Sequence, residues 1–234
     1  MSEPKILLAS HSPRRRELLS WLEIPFSAVS ASVDETPLPD EYPEGYVRRL
    51  ALEKARAAAD QHGCRAAVLA ADTAVADGNS ILGKPRGAQE AVDMLRRLRG
   101  RCHQVYTAVC VLKDHASRPL VEVCVSPVVM RGYTEAEIEA YVSSGDPLDK
   151  AGAYAIQHEG FRPVRGFRHC FANVMGLPLC HLARVLPQVG LQLAVDAPKV
   201  CQQNLNYVCV VYPEILRRAD KGRQPVNETC SKGF

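Results

Sequence analysis

The feature that most constrains the fold is an apolar run at residues 66–71, which leads directly into Asp72 and Thr73. A short apolar run of this kind is typical of a buried strand. Asp77-Gly78 is a hairpin signal a few residues later, and the chain then reads Gly83-Lys84-Pro85. We therefore expect a carboxylate at the end of a buried strand and a lysine that folds back towards it. This layout is typical of a metal-assisted phosphate site.

Apolar runs and amphipathic helical patterns alternate along the rest of the chain. The two long runs 105–112 and 120–130 are joined by a polar loop, so we expect them to pair antiparallel. Further strands are predicted near residues 5–9 and 26–30, and helices near 13–22, 43–61, 88–98, 134–143 and 178–186. The pattern predicts an α/β fold built on a mixed twisted sheet with flanking helices.

The composition is that of a folded protein with no marked charge bias. The chain has 234 residues, 47% of them hydrophobic, and a net charge of +3 from 29 basic and 26 acidic residues. Nothing in this balance supports nucleic-acid binding. The first apolar run is too short for a signal peptide, and no stretch is apolar enough for a membrane span. We expect a cytoplasmic protein that binds neither nucleic acid nor membrane.

The nine cysteines are an odd number, and no two of them form a Cys-x-x-Cys pair. This distribution favours scattered reduced thiols over a disulfide framework or a zinc site. Cys110 and Cys124 lie in apolar strand-like contexts, where cysteine is a small core residue. The role of the cysteines near the C-terminus is left open.

The first predicted helix begins with Ser12 as a good N-cap and Pro13 at its first position. Arg14 and Arg15 then fall in the first turn, where the free backbone N–H groups already create a positive potential. Two arginines at this position favour an anion, and a phosphate suits a helix N-terminus. The alternative is a pair of solvated arginines on an exposed turn.

The second predicted helix carries Lys54 on its buried stripe, seven residues after Val47. A lysine there either extends its stem to the rim of the core or meets an anion. The loop before this helix contains several carboxylates, including Glu35. Loop carboxylates usually face water, although one of them could bind a metal ion.

Five segments, taken together and in order, resemble the Maf family of nucleoside triphosphate pyrophosphatases. They are residues 10–19 with Ser12-Pro13-Arg14-Arg15, Ala71-Asp72-Thr73, Gly83-Lys84-Pro85, residues 149–157 and residues 173–179. The resemblance implies two lobes around a deep cleft, similar to inosine triphosphatases. It also implies hydrolysis of the α–β phosphoanhydride bond, giving a nucleoside monophosphate and pyrophosphate, as in house-cleaning enzymes.

The resemblance further implies a subgroup and a set of site residues. Arg14, Thr73 and Gln157 match the subgroup that cleaves dTTP and UTP, whereas the 7-methyl-GTP subgroup has other residues there. The implied catalytic residues are Asp72 as proton acceptor, Lys84 and Lys54. The implied substrate-binding residues are Ser12, Arg14, Arg15, Thr73 and Gln157. A divalent cation, Mg²⁺ or Mn²⁺, is expected on Glu35 and Asp72.

Ordinary alternatives exist for two of these residues. Without the resemblance, Asp72 reads as a carboxylate that caps a turn, and Gln157 as a polar residue at a strand end. With it, Thr73 and Gln157 can hydrogen-bond the carbonyl and imide edge of a pyrimidine. Residues 158–161 and 168–172 depart from the usual family pattern and could border the base pocket.

The resemblance divides the chain into a Maf-like domain at residues 1–188 and a C-terminal extension of unknown role at 189–234. Residues 205–212 in the extension could add an edge strand to the sheet. The family resemblance suggests a homodimer. Two rival functions remain: a nucleotide-binding regulator of cell division, and the same reaction on another triphosphate such as 7-methyl-GTP.

Overall fold

The computed structural model describes residues 5–63, 66–115 and 117–217. Its strands are β1 (Ile6–Ala9), β2 (Phe26–Val29), β3 (Ala67–Asp77), β4 (Ser80–Leu82), β5 (Cys102–Leu112) and β6 (Leu120–Val129). Its α-helices are α1 (Pro13–Ser20), α2 (Pro43–His62), α3 (Ala88–Leu98), α4 (Glu135–Ser143), α5 (Phe171–Met175), α6 (Leu179–Val185), α7 (Ala197–Leu205) and α8 (Tyr212–Arg217). Short 3-10 helices lie at Asp146–Asp149, Ala151–Ala153 and Leu186–Val189.

The strands form one mixed sheet in the order β2-β1-β3-β5-β6, with β4 paired to β3. β1 is parallel to both β2 and β3, whereas β4 and β5 pair antiparallel with β3, and β6 with β5. The predicted α/β fold with a mixed sheet and flanking helices is confirmed, as is the antiparallel pairing of the two long strands.

No helix in the described ranges has both the length and the apolar character that crossing a bilayer requires.

Helices cover both faces of the sheet because alternate residues of β3 point to opposite sides. Val68 and Ala70 pack in the cluster under α2, together with Leu50 of that helix. Leu69 and Ala71 pack on the other face, in the cluster formed by α1, α5 and α6. The same alternation continues along the strand and sends Asp72 and Thr73 to opposite faces.

Two predictions about strands are wrong. β3 does not end at Asp72 but continues to Asp77, so the carboxylate lies in the middle of a long strand. Residues 205–212 form no strand, because α7 extends to Leu205 and Asn206 ends it in the left-handed conformation, with φ 46°. Tyr207 N–H then donates to the Gln202 carbonyl, a bond that closes the helix and turns the chain away from an extended path.

The described part of the C-terminal extension packs on the predicted Maf-like domain. Val200 and Leu205 contact the core cluster that holds α6, and Arg184 of α6 donates to the Ile215 carbonyl at 3.0 Å. Residues 218–234 of the predicted extension lie outside the described residues. The domain boundary at residue 188 stays a prediction.

Among the described residues, six cysteines are free thiols: Cys110, Cys124, Cys170, Cys180, Cys201 and Cys209. Cys102 is disulfide-bonded, so the prediction of reduced thiols is wrong at that position. Cys64 and Cys230 lie outside the described residues.

A buried histidine makes the fold sensitive to acid. His103 is 2% exposed, and its Nε2 lies 2.8 Å from the Tyr154 hydroxyl. Burial lowers the pKa of His103 from 6.5 to about 4, partly opposed by the charge of Asp77. Below pH 6.5 His103 therefore binds a proton in the unfolded chain but not in the native state. The free energy of unfolding falls as the pH drops towards 4.

We expect His103→Gln to reduce this acid sensitivity by about 2–3 kcal/mol between pH 7 and 4.5, since each pKa unit is worth about 1.4 kcal/mol. Urea unfolding at the two pH values measures the difference. His115→Gln is the matched control, because the His115 side chain is 56% exposed. Equal acid-induced losses in His103→Gln and the native chain would contradict the prediction.

Candidate active site

The candidate site lies at a gap in the sheet. One edge of β3 pairs with β1 through Ala67–Leu69 and with β4 through Val75–Asp77, while β5 occupies the opposite edge. Residues 70–74 therefore have no strand partner on the first edge within the described ranges. The carboxyl end of β1 and the start of α1 face this gap, so side chains from both faces of the sheet can meet there.

Lys54 joins two carboxylates on the α2 side of the gap. Its Nζ lies 2.6 Å from Asp72 Oδ1 and 2.6 Å from Glu35 Oε1. The side chains of Lys54 and Asp72 are 10% and 8% exposed, whereas that of Glu35 is 53% exposed. The predicted alternative in which Lys54 meets an anion is the one observed. Because both carboxylate oxygens contact the same nitrogen atom, they can lie no farther apart than the sum of these two distances.

The environment separates the acidities of the two carboxylates. Burial raises the pKa of Asp72, and the charge of Glu35 raises it further, against the opposing charges of Lys54 and Arg15. For Glu35, partial burial acts to raise the pKa, but the Lys54 hydrogen bond and the charges of Lys54, Lys84 and Arg15 lower it overall. Asp72 is therefore the better proton acceptor, and Glu35 the more permanent anion.

Tyr46 of α2 positions the loop that carries Glu35. Its hydroxyl donates to the Glu35 carbonyl oxygen at 2.9 Å. Burial, together with the charges of Asp72 and Glu35, raises the pKa of Tyr46 to about 12. The hydroxyl therefore stays protonated at neutral pH and can serve as this donor.

Arg15 extends from the first turn of α1 across the other side of the gap. Its Nε donates to the Gly176 carbonyl at 2.9 Å, and its Nη2 donates to Thr73 Oγ1 at 3.0 Å. Burial lowers the pKa of Arg15, which the charge of Asp72 partly offsets. No carboxylate in the described ranges lies within 4.0 Å of this guanidinium, so its positive charge is directed at the gap without a direct ion pair.

A buried chain of polar groups leads from Arg15 into the sheet. Thr73 Oγ1 lies 2.9 Å from Thr107 Oγ1, and Thr107 donates to the Asn173 carbonyl at 2.9 Å. Because Thr107 donates its one hydroxyl hydrogen to that carbonyl, Thr73 must be the donor in its bond with Thr107. Thr73 also accepts from Arg15, so it has no donor left and at most one acceptor position. It can accept a hydrogen bond from a ligand but cannot donate one.

Gly176 is required where Arg15 crosses the loop after α5. Its φ is +106°, which L side chains rarely adopt. An added Cβ would also lie 3.2 Å from Arg15 Nε and 3.3 Å from Thr73 Oγ1. The glycine therefore permits both the turn and the close approach of the guanidinium.

The remaining predicted residues lie around this centre. Ser12 is the N-cap of α1, and its hydroxyl accepts from Arg15 N–H at 3.5 Å, as predicted for a cap. Arg14 is half-buried in the first turn and lies within electrostatic reach of Arg15 and Tyr141. Lys84 is exposed after β4 and acts electrostatically on Glu35.

Gln157 is exposed in a turn and is not joined to the other predicted residues by a hydrogen bond in the described ranges. Its segment is nevertheless linked to the first turn of α1 through Tyr141. Ala155 N–H donates to the Tyr141 hydroxyl at 3.0 Å, and Arg14 is close enough to Tyr141 to affect its pKa. The structure therefore brings the segment near α1 without placing the Gln157 amide in a defined contact.

The carboxylates at the gap fit a divalent cation that is completed by substrate. In the described ranges, no group of three or more His, Cys, Asp and Glu side chains could hold a metal ion. Glu35 and Asp72 nevertheless present two close carboxylates. Mg²⁺ commonly binds through one or two carboxylates together with substrate phosphates and water. The donor set is therefore of the right kind, with Lys54 bridging the two carboxylates in this structure.

Comparison with known proteins identifies the family. A family model described as Maf-like protein matches residues 5–189. The chain belongs to the Maf family. The dTTP/UTP pyrophosphatase of Myxococcus xanthus is 49% identical over 188 residues, covering 80% of this chain and 94% of that protein. That of Anaeromyxobacter dehalogenans (strain 2CP-C) is 46% identical over 197 residues, covering 83% of this chain and 99% of that protein.

A solved structure, the Staphylococcus aureus Ham1 protein, matches with a TM-score of 0.39 and 16% identity. The match covers 53% of this chain and 71% of that one. A likeness at this level adds no argument to the Maf assignment.

Four residues that support the Maf site were not assigned a role from the sequence. They are Tyr46, Thr107, Asn173 and Gly176. Asn173 and Gly176 fall in a segment that carries the family resemblance. The sequence therefore showed the motif but not the contacts that these two residues make. Tyr46 and Thr107 carry no such signal, because an aromatic residue in a helix and a threonine in a strand are usually structural.

Proposed function

We propose that this chain hydrolyses dTTP and UTP to the nucleoside monophosphate and pyrophosphate. The observation that carries the proposal is the meeting of Asp72, Glu35, Lys54 and Arg15 at the gap in the sheet. Relatives named dTTP/UTP pyrophosphatase, at 46–49% identity, match this chain over almost their whole length. The site contains both a proton acceptor and cations, which hydrolysis of a triphosphate requires and simple binding does not.

Asp72 is proposed to accept the proton of the attacking water. An aspartate with an ordinary pKa of 3.8 is a weak base at neutral pH, and the burial that raises the pKa of Asp72 improves it. Lys54 donates to Asp72 Oδ1, which fixes the orientation of the carboxylate and favours its ionised form. The lysine thus limits the rise in pKa that burial would otherwise cause.

Arg15, Arg14 and Lys84 are proposed to bind the phosphates. Arg15 is already held at Thr73 and Gly176, so little conformational entropy is lost when its free N–H groups meet an anion. Lys84 is exposed and can adjust to the polyphosphate chain, and Arg14 is half-buried beside Arg15 in the first turn of α1. Ser12 supports this surface as the cap of α1 rather than through a contact that the structure shows.

Glu35 and Asp72 would hold the expected Mg²⁺ or Mn²⁺. A divalent cation at this place supplies charge neutralisation for the phosphate oxygens. Tyr46 keeps Glu35 at the site through its backbone carbonyl. Lys54 balances the two carboxylates when no cation is bound, which limits their mutual repulsion.

Base selection is proposed to use Thr73 and Gln157 in different ways. Thr73 can only accept, which suits the imide N–H of thymine or uracil. Gln157 can donate to a carbonyl oxygen through its amide. Adenine has neither a carbonyl oxygen nor a ring N–H on its pairing edge and would leave both the threonine and the amide without a partner. Guanine has an N–H beside one carbonyl, but it carries an amino group where thymine and uracil have their second carbonyl.

The test is pyrophosphate release from a panel containing dTTP, UTP, the other common triphosphates and 7-methyl-GTP, with Mg²⁺ or Mn²⁺. We expect dTTP and UTP to be cleaved fastest, and a chelator to abolish release until the metal is restored. Fastest release from 7-methyl-GTP would overturn the choice of substrate. Binding of dTTP without release from any nucleotide would favour the regulatory alternative.

A homodimer and a cytoplasmic location stay predictions from the sequence and the family resemblance.

A further inference from the structure

The C-terminal extension reaches back to the loop that precedes α5. Tyr207, which follows α7, has its hydroxyl 3.0 Å from the His169 carbonyl oxygen and 3.3 Å from the Phe167 carbonyl oxygen. Its one hydroxyl hydrogen is shared between these two acceptors. Burial raises the pKa of Tyr207 to about 12, so the hydroxyl is protonated and donates at neutral pH. One side chain of the extension therefore holds two backbone groups of this loop.

The Tyr207 ring also packs against the loop. Its centroid lies 5.9 Å from that of Phe167 and 5.4 Å from that of Phe171, and the two phenylalanine rings meet edge to face at 5.9 Å. Centroid separations of about 4.5–7 Å are typical of stabilising aromatic pairs. Phe171 is the first residue of α5. The three rings therefore form one cluster that joins the extension, the loop and the start of α5.

The end of α7 fixes the position of Tyr207. Asn206 adopts the left-handed conformation, with φ 46°, and Tyr207 N–H donates to the Gln202 carbonyl at 3.1 Å. The side-chain oxygen of Gln202 accepts from Cys209 N–H at 2.9 Å. Cys201 anchors α7 in the core cluster that holds α6. The tyrosine is thus carried by a hydrogen-bonded turn on a packed helix, so it can act as a fixed support.

The loop leads directly into the supports of the candidate site. α5 has only five residues, and Gly176 follows its last one. The Asn173 carbonyl accepts from Thr107, the partner of Thr73. The Gly176 carbonyl accepts from Arg15 Nε at 2.9 Å. A shift at the start of so short a helix displaces both carbonyls, because backbone hydrogen bonds make the helix one rigid unit. The extension is therefore linked to Arg15 and Thr73 through α5.

The other half of the site is supported from α2 instead. Asp72 points to the face of the sheet opposite Thr73 and pairs with Lys54, which also pairs with Glu35. The two halves have different proposed tasks, since Arg15 and Thr73 bind the substrate and Asp72 accepts a proton. A displaced α5 should therefore weaken substrate binding and leave the proton transfer almost unchanged.

Tyr207 lies outside the part of the chain that matches the Maf family, which ends at residue 189. We propose that Tyr207 is a positioning residue of the nucleotide site, through which the C-terminal extension holds Arg15 and Thr73 in place for substrate binding. This role rests on the proposed hydrolysis of dTTP and UTP. It gives the extension a task in the reaction, although Tyr207 acts through α5 and not on the substrate.

The test compares the full chain with Tyr207→Phe, which keeps the ring cluster and removes only the hydroxyl. We expect KM for dTTP to rise about three- to tenfold, the effect of one lost hydrogen bond, and kcat to change by less than about twofold. A variant that is only less stable would contain less active enzyme, which lowers the apparent kcat and leaves KM unchanged. The split between KM and kcat therefore separates positioning from stability.

Tyr212→Phe is the matched control. It removes a hydroxyl from the same extension, at the start of α8. Among the described residues, this hydroxyl makes no hydrogen bond to the loop before α5, whereas that of Tyr207 makes two. KM and kcat of Tyr212→Phe should both stay within about twofold of the native values.

Amide hydrogen exchange tests the link to α5 without a nucleotide. Tyr207→Phe should exchange faster at residues 171–176, while α3 keeps its native protection. Unchanged exchange at residues 171–176 would overturn the role of Tyr207, as would a native KM for dTTP in Tyr207→Phe or a fall in kcat alone. A native chain that releases no pyrophosphate would instead overturn the proposed function, and the exchange rates would then decide whether Tyr207 holds α5.

Discussion

Asp72→Asn is expected to lower kcat for dTTP hydrolysis by about 10³-fold, within the range that a general base usually contributes. Asparagine has nearly the same shape, so it fills the same space in β3, but its amide cannot take a proton from water. It also removes one of the two anions that balance Lys54. Initial rates of pyrophosphate release at saturating dTTP measure the effect.

The matched control for Asp72→Asn is Asp77→Asn, which removes a carboxylate from the same strand. Asp77 is the last residue of β3 and pairs with Arg97 and Arg101, neither of which belongs to the site, so its loss should leave kcat within about twofold. Circular dichroism of both variants verifies the fold. If Asp72→Asn kept a tenth or more of the native kcat, another group would have to be the proton acceptor.

Arg15→Lys should lower kcat/KM for dTTP by about 10²- to 10³-fold, although the formal charge is unchanged. The guanidinium bonds Thr73 and Gly176 at once and still has N–H groups for a phosphate. An ammonium group on a flexible stem cannot make these bonds in the same geometry. The expected loss corresponds to about 3–4 kcal/mol of transition-state stabilisation, because a cation that these bonds no longer position would meet the phosphate poorly.

Arg16→Lys is the control for this substitution. Arg16 follows Arg15 on the same helix but is exposed, so its replacement should change kcat/KM by less than about twofold. A rate series over dTTP concentration separates kcat from KM in both variants. Native kinetics in Arg15→Lys would show that the bonds to Thr73 and Gly176 do not support catalysis.

The order of the elements was readable from the sequence because it depends on local patterns. α2 was predicted at residues 43–61 and is observed at Pro43–His62. Ser12, predicted as the N-cap of α1, is observed as that cap and accepts from Arg15 N–H. Caps and helical periodicity act between residues a few positions apart, so the sequence displays them directly.

The environment of Lys54 was only partly readable. Periodicity placed the lysine on the buried stripe of α2 and required either a path to solvent or an anion. The pairing with Asp72 and Glu35 depends on how β3 and the loop after β2 approach that helix. Such long-range contacts leave no periodic signal in the sequence.

The sequence by itself determined the chemical groups of the Maf-like domain and the helices and strands that carry them. Only the tertiary structure decided that, among the residues described, β1 and β4 leave positions 70–74 of β3 unpaired on one edge, where Arg15 and Lys54 approach from opposite faces. It likewise decided that Tyr207 of the C-terminal extension bonds two carbonyls of the loop before α5. The physical reason is that strand pairing and helix packing join residues far apart in the chain, and these contacts depend on the whole fold.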